Sequence, residues 1–211
     1  MWNPVFGMRI AEKSARDFLH HRVASLGLTG EITYCGARFG PYLPLWRVEE
    51  TDTPNLLSRC HDVLHQVRST HSFHLRIGQR IDWFYANNEG TLRVIYAEAL
   101  GVGDGLSDLI SEIEGLAKSA HIKIEPAPIK GIPIARWQVE PTNHQDIPPH
   151  SSSSMVVPVR DSVTILANPA DPTEYSFHEH HQLQKEAFKG NPDLSPLWCR
   201  ESQQNKDQTA A

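Results

Sequence analysis

Two nine-residue stretches, 91 positions apart, constrain this chain more than anything else in it. The first is Gly40-Pro41-Tyr42-Leu43-Pro44-Leu45-Trp46-Arg47-Val48, and the second is Gly131-Ile132-Pro133-Ile134-Ala135-Arg136-Trp137-Gln138-Val139. Each is a short apolar run with a proline near its start and an aromatic–basic pair near its end. Each follows a turn signal, Phe39-Gly40 or Lys130-Gly131. Apolar runs of this length bounded by turn residues read as buried strands. Proline has no N–H for a ladder, so Pro44 and Pro133 are expected at strand starts, edges or bulges. Two matching strands so far apart indicate an internally duplicated fold; the plainer alternative is two unrelated core strands.

The remaining pattern supplies the partners for these strands. Val5–Ile10 alternates, with Phe6, Met8 and Ile10 on one face, and reads as a strand. Ala11–Leu26 carries Ala15, Phe18, Leu19, Val23 and Leu26 at helical spacing, with Ser14 as its expected cap and Gly27 at its end. Glu31–Cys35 is a short strand. Thr53-Pro54 fits the start of a second helix, striped by Leu56, Leu57, Cys60, Val63, Leu64 and Val67. Phe73–Ile77, Ile81–Tyr85 and Thr91–Ala99 read as three strands, and Leu106–Ala117 as a third helix. The link Gly101-Val102-Gly103-Asp104-Gly105 reads as a strand-to-helix connector, because phosphate cradling needs G-x-G-x-x-G inside a parallel β-α-β unit. Met155–Val159 and Ser162–Leu166 read as a final hairpin. Residues 1–199 are expected to form one bilobal domain, with 140–154 as a surface loop and 200–211 as a disordered tail. Strands outnumber helices and hairpin-like links dominate, so the fold class is antiparallel α+β, with helices on one face.

Bulk properties exclude several functions. A net charge of −5 gives no basic footprint for long nucleic acid. Cys35, Cys60 and Cys199 are three cysteines without CxxC spacing, which suggests neither a disulfide framework nor a zinc site. A reducing, cytoplasmic setting follows. Met1–Phe6 does not read as a signal peptide, and no apolar run reaches the ~18 residues of a membrane span. The expected partner is a small molecule bound by a monomer, with no membrane, cofactor or metal.

The order of elements, with Leu26-Gly27-Leu28-Thr29-Gly30, the two opening stretches, Phe73–Ile77, Val94–Ala97, the helix from Leu106 and Asp161–Leu166 followed by Tyr175, resembles the two-histidine phosphoesterases. These include the 2′-5′ RNA ligase-like proteins and cyclic phosphodiesterases. The resemblance covers residues 5–183. It implies two pseudo-symmetric lobes, each an antiparallel sheet backed by helices, with a cleft between them and one His-x-Thr/Ser motif per lobe. One histidine of the family serves as general base and the other as general acid, while the hydroxyls, two residues along the same strand face, hold phosphoryl oxygens. In this chain the first motif falls on Tyr42 and Pro44 and the second on Gly131 and Pro133, so all four positions depart from it. Proline has no hydroxyl, glycine no side chain, and a tyrosine of ordinary pKa near 10 is a poor base at neutral pH.

Alternation then suggests what faces the cleft: Arg9, Tyr42, His74, Arg76, Tyr96 and Glu98. His74 and Tyr42 are the candidate catalytic residues; Arg76, Arg9, Tyr96, Trp46 and Trp137 are the candidate ligand-binding ones. Two arginines, two tyrosines and a histidine suit an anionic or carbonyl-bearing molecule. The alternatives are a non-catalytic scaffold whose polar strand residues merely face solvent, and an active phosphodiesterase whose motifs lie elsewhere. Arg76 is expected to carry ligand binding in preference to Phe177-His178-Glu179-His180-His181, which reads as an edge-strand histidine run with no third ligand for a metal.

Overall fold

β1 (Asn3–Arg9) forms where the sequence alternates, and its even positions Phe6 and Met8 are fully buried. The computed structural model describes residues 3–35, 40–49, 55–67, 72–127, 131–140, 145, 147, 153–168 and 171–183, with backbone alone at 164–168 and 171–182. The expected tail at 200–211, Thr53 and Pro54 lie outside the described residues. After β1 come α1 (Lys13–Ala24), β2 (Glu31–Tyr34), β3 (Tyr42–Val48), α2 (Leu56–Gln66), β4 (Phe73–Tyr85), β5 (Leu92–Val102), α3 (Gly105–Ser119), β6 (Ile124–Pro126), β7 (Ile132–Gln138), β8 (Met155–Val159), β9 (Asp161–Asn168) and β10 (Asp171–Gln182).

Two antiparallel five-stranded sheets result, in the orders β10-β9-β1-β3-β6 and β8-β4-β5-β7-β2. The orders correspond position by position. A short edge strand, β6 or β2, flanks the proline-bearing strand β3 or β7, which pairs with β1 or β5. The correspondence extends to detail: a register shift accompanies Gly7↔Pro44 in one sheet and Tyr96↔Pro133 in the other. Both prolines thus sit at bulges, where a missing N–H costs no ladder bond. The duplication read from the two stretches is real at the level of architecture.

Helices cover the outer faces: α1 packs on β7 and β8, α3 on β4 and β5, and α2 on β9 and β10. Leu19, Leu64, Leu75, Leu109 and Trp137 all lie in the resulting core, each exposed by no more than 1%. Arg59 of α2 donates to the carbonyl oxygens of Ala120 and His121, satisfying groups left free at the end of α3 with a charge of the right sign.

Several sequence expectations are corrected. The first helix is preceded by Glu12, which makes no side-chain capping bond, so Ser14 is inside the helix and not its cap. The second begins after Asn55, held at φ +63°. Phe73–Ile77 and Ile81–Tyr85 are one strand, bent between Ile77 and Ile81, where Gly78 has φ +76° and has no space for a side chain beneath Phe18. Met155–Val159 and Ser162–Leu166 do not pair. β8 joins β4 in one sheet and β9 joins β1 in the other, since Val157 and Val159 are needed to complete the second core. The final hairpin is β9–β10. Among the described residues no helix is long and apolar enough to cross a membrane.

Candidate functional site

The sheet faces turned away from the helices meet where β3 approaches β7. Strand alternation assigns the cleft face of the first sheet to Val5, Gly7, Arg9, Tyr42, Pro44, Asp161 and Val163, which the register joins in rows. The second sheet offers Gly131, Pro133, Tyr96, Glu98, Asp82 and Val94. Val5, Tyr42, Val163 and Val94 are all buried, Tyr42 to 4% exposure, so the floor of the cleft is largely apolar.

The four positions at which the resemblance leads one to expect the motifs are occupied as follows. Tyr42 and Pro44 lie on one face of β3, and Gly7 opposite Pro44 has no room for a side chain: a Cβ there would stand 2.5 Å from the carbonyl oxygen of Leu43. Gly131 is closed more tightly. A Cβ on it would overlap the carbonyl oxygen of Ala97 and stand 2.8 Å from Cδ2 of Tyr96. The backbone of β5 occupies the place from which a side chain would have to leave.

Polar groups gather at the rim. Arg9 sits in one row between Tyr42 and Asp161. Tyr96 is half-buried, its ring 6.0 Å from that of Phe84. Burial first, and then the negative charge of Asp82, push the Tyr96 phenol above its ordinary value, with Arg80 opposing. Tyr96 is therefore a neutral hydrogen-bond donor at physiological pH and not a base. Arg80 and Asp82 pair at 2.9 Å beside it. On the other lobe Arg47 is held by Glu125, its Nε donating to Oε1.

The other candidates fall elsewhere. His74 and Arg76 share the face of Tyr96 but pair with Val102 and Leu100. That is six and four residues along β5 from Tyr96, or about 20 and 13 Å at 3.3 Å per residue. Both are exposed there, beside the exposed Leu100, Val102 and Val156. Trp46 is turned from the cleft to the core by the bulge opposite Phe6. Trp137 is on the helix side, fully buried, its indole donating to the Thr29 carbonyl at 2.8 Å. There it stacks under Arg93, whose guanidinium also covers Trp83 at 4.1 Å. The side chains of His178–His181 lie outside the described residues; the backbone there is β10, with His180 opposite Val163. Among the described residues no group of His, Cys, Asp or Glu is arranged to hold a metal.

Sequence reasoning missed two residues. Lys13 and Arg16, on the first turn of α1, line an open groove with Arg9. The signal was available: basic residues three apart on a helix, starting four positions beyond a strand that ends in arginine.

No family model matches the sequence, and no curated protein does. Solved structures do match in fold. TT0787 of Thermus thermophilus superposes with a TM-score of 0.62 at 18% identity, covering 87% of this chain and 99% of that one. LigT of E. coli, solved with 3′-AMP, gives 0.61 at 14% identity, covering 87% of this chain and 99% of LigT. A further structure described as a phosphoesterase gives 0.61 at 14%, covering 88% of this chain and all of the other. The chain has the fold of LigT, over 99% or more of the length of each of these structures.

Proposed function

We propose that this protein binds a small anionic molecule at the rim of the cleft and does not carry out two-histidine phosphodiester hydrolysis. The observation that supports this most directly is the packing of Gly131 against Ala97. The position that would hold the second acid–base group has no side chain and no space for one. The position that would hold the first is Tyr42, a phenol on a nearly closed floor. The two hydroxyl positions are prolines. What is left is recognition: Arg9 as the charge, Tyr96 as a neutral donor, and an apolar floor of Tyr42, Val5 and Val94 for the ligand's body.

Two measurements test this reading. Purified protein should leave 2′,3′-cyclic nucleotides and 1″,2″-cyclic ADP-ribose phosphate intact; robust turnover of either, lost on replacing His74, would overturn it. A thermal-shift screen of small phosphates and carboxylates should find a stabilising ligand, since a molecule at 100 times its Kd contributes roughly 2.7 kcal/mol. The burial of Tyr42 favours a second reading, a scaffold that has closed its cleft, and this is the reading left if no anion stabilises the protein.

A further inference from the structure

The large apolar side chains left exposed are not scattered. Among the described residues they are Tyr85, Leu100, Val102 and Val156, and the last three stand together. Register sets them in two adjacent rows across β8, β4 and β5: Val156–Arg76–Leu100 and Pro158–His74–Val102. The alternate positions Phe73, Leu75, Val157 and Val159 are buried, so the two rows form the outer face of the sheet. Single exposed apolar residues are ordinary, but a contiguous group marks a surface that something covers. Arg76 lies at its centre, on the middle strand of three. Among the described residues neither Arg76 nor His74 holds an ion pair or a side-chain hydrogen bond, whereas Arg47 and Arg80 are paired with Glu125 and Asp82. The occupant should therefore bring a carboxylate set among apolar groups.

The chain itself supplies such a sequence, and the fold starts it in the right place. The N–H of Leu183 donates to the carbonyl oxygen of Arg160 at 2.7 Å, and Arg160 directly follows β8. Counted in strand spacings, that junction is within about 20 Å of Arg76. Beyond it the sequence reaches Asp193-Leu194-Ser195-Pro196-Leu197-Trp198, one acid beside three large apolar residues. The stretch from Leu183 to Asp193 can span at most about 35 Å, which is enough. We infer that this sheet face is the docking surface for the chain's own Asp193–Trp198, with the Asp193 carboxylate on the Arg76 guanidinium and the apolar side chains over Leu100, Val102 and Val156. A planar fork can hold the carboxylate by two charge-assisted bonds. The short connection gives the segment a high effective concentration, so a small patch suffices. A second copy suits the face less well. Packing it on itself about a two-fold axis would bring two Arg76 side chains together. Strand addition at the β8 edge is discouraged by Pro158, which has no N–H to offer. Docking here is independent of anion binding at the cleft rim.

The experiment is paramagnetic broadening in the full chain, with Cys35→Ser and a nitroxide on Cys199; Cys60 is fully buried and does not react. The methyl signals of Leu100, Val102 and Val156 should broaden. Asp193→Arg should remove the effect, and so should Leu197→Ser/Trp198→Ser. Combining Asp193→Arg with Arg76→Glu should restore it, a recovery that misfolding cannot mimic. Absence of broadening without these changes, or broadening that survives both of the first two variants, would overturn the docking. A charge swap that restores nothing would overturn the pairing of Asp193 with Arg76. Broadening that also appears when nitroxide-labelled protein is mixed with a separate isotope-labelled copy would give the face to a second molecule instead.

Discussion

Gly131 packs against the carbonyl oxygen of Ala97 with no room for a β-carbon between them. Ala97 is on β5 and Gly131 immediately precedes β7, so the contact closes the second lobe at the point where the first lobe carries Tyr42 opposite Arg9. The duplicated halves are therefore unequal: at corresponding places one presents the buried phenol of Tyr42, the other only backbone.

Installing a histidine should accordingly fail. Gly131→Ala is expected to destabilise by about 1–3 kcal/mol, the cost of forcing atoms into a packed site, and Gly131→His by at least as much. Neither Gly131→His nor the pair Tyr42→His/Gly131→His should hydrolyse a 2′,3′-cyclic nucleotide. Denaturant unfolding and product chromatography measure the two halves of the claim; a stable, active double variant would refute it.

Tyr96→Phe removes the neutral donor at the rim and keeps the ring. Ligand affinity should fall by about three- to tenfold, the range of one neutral hydrogen bond, with the melting temperature little changed. Because burial and Asp82 raise the phenol above its usual range, binding through Tyr96 should show no inflection between neutrality and mildly alkaline pH. A titration of affinity against pH in native and Tyr96→Phe proteins would reveal any such step.

Cys60 predicts an alkaline weakness. Burial pushes its thiol from 9.0 up to about 12, against a smaller opposing effect of Arg59. Below about 9 both folded and unfolded chains keep the proton, so the group is neutral to stability. Above that the unfolded chain releases it and the folded one does not. Stability then falls as pH rises, by at most about 1.4 kcal/mol per unit, until the folded value is reached. Cys60→Ala should flatten this decline, as read from denaturant midpoints at several alkaline pH values. A native protein no more alkali-sensitive than the variant would contradict the assignment.

Arg93 is 3% exposed, stacked between Trp83 and Trp137, and donates to the carbonyl oxygen of Gln145. Gln145 in turn accepts from the Thr29 backbone and hydroxyl and donates to the Gly27 carbonyl. Arg93→Lys keeps the charge and loses the plane, and should cost about 1–3 kcal/mol. Tryptophan fluorescence should shift with it; unchanged emission and stability would show that the stack is incidental.

Local signals along the chain specify the elements and their duplication. Phe6 and Met8 at period two, Leu19 and Val23 at helical spacing, and the matched prolines at 44 and 133 each point to the right element, because local burial pattern and backbone chemistry depend on neighbours in the chain. The resemblance of the order leads to the fold on the same footing. The strand break at Gly78 misled, because a positive-φ glycine marks a bend as well as an end. Which polar residues meet is a matter of tertiary packing alone. Alternation put Arg9, Tyr96, His74 and Arg76 on one side of their strands. Register, however, is fixed by how whole sheets bury their apolar faces, and it carried His74 and Arg76 away from Tyr96. Trp46 and Trp137 read as rim aromatics until a bulge and a helix drew them into the core. Lys13 and Arg16 drew no reading from the sequence, and it is the fold that brings them to Arg9 at the end of β1. The closure at Gly131 was beyond any sequence signal, since the atom that fills its space is a backbone oxygen of a strand more than thirty residues earlier.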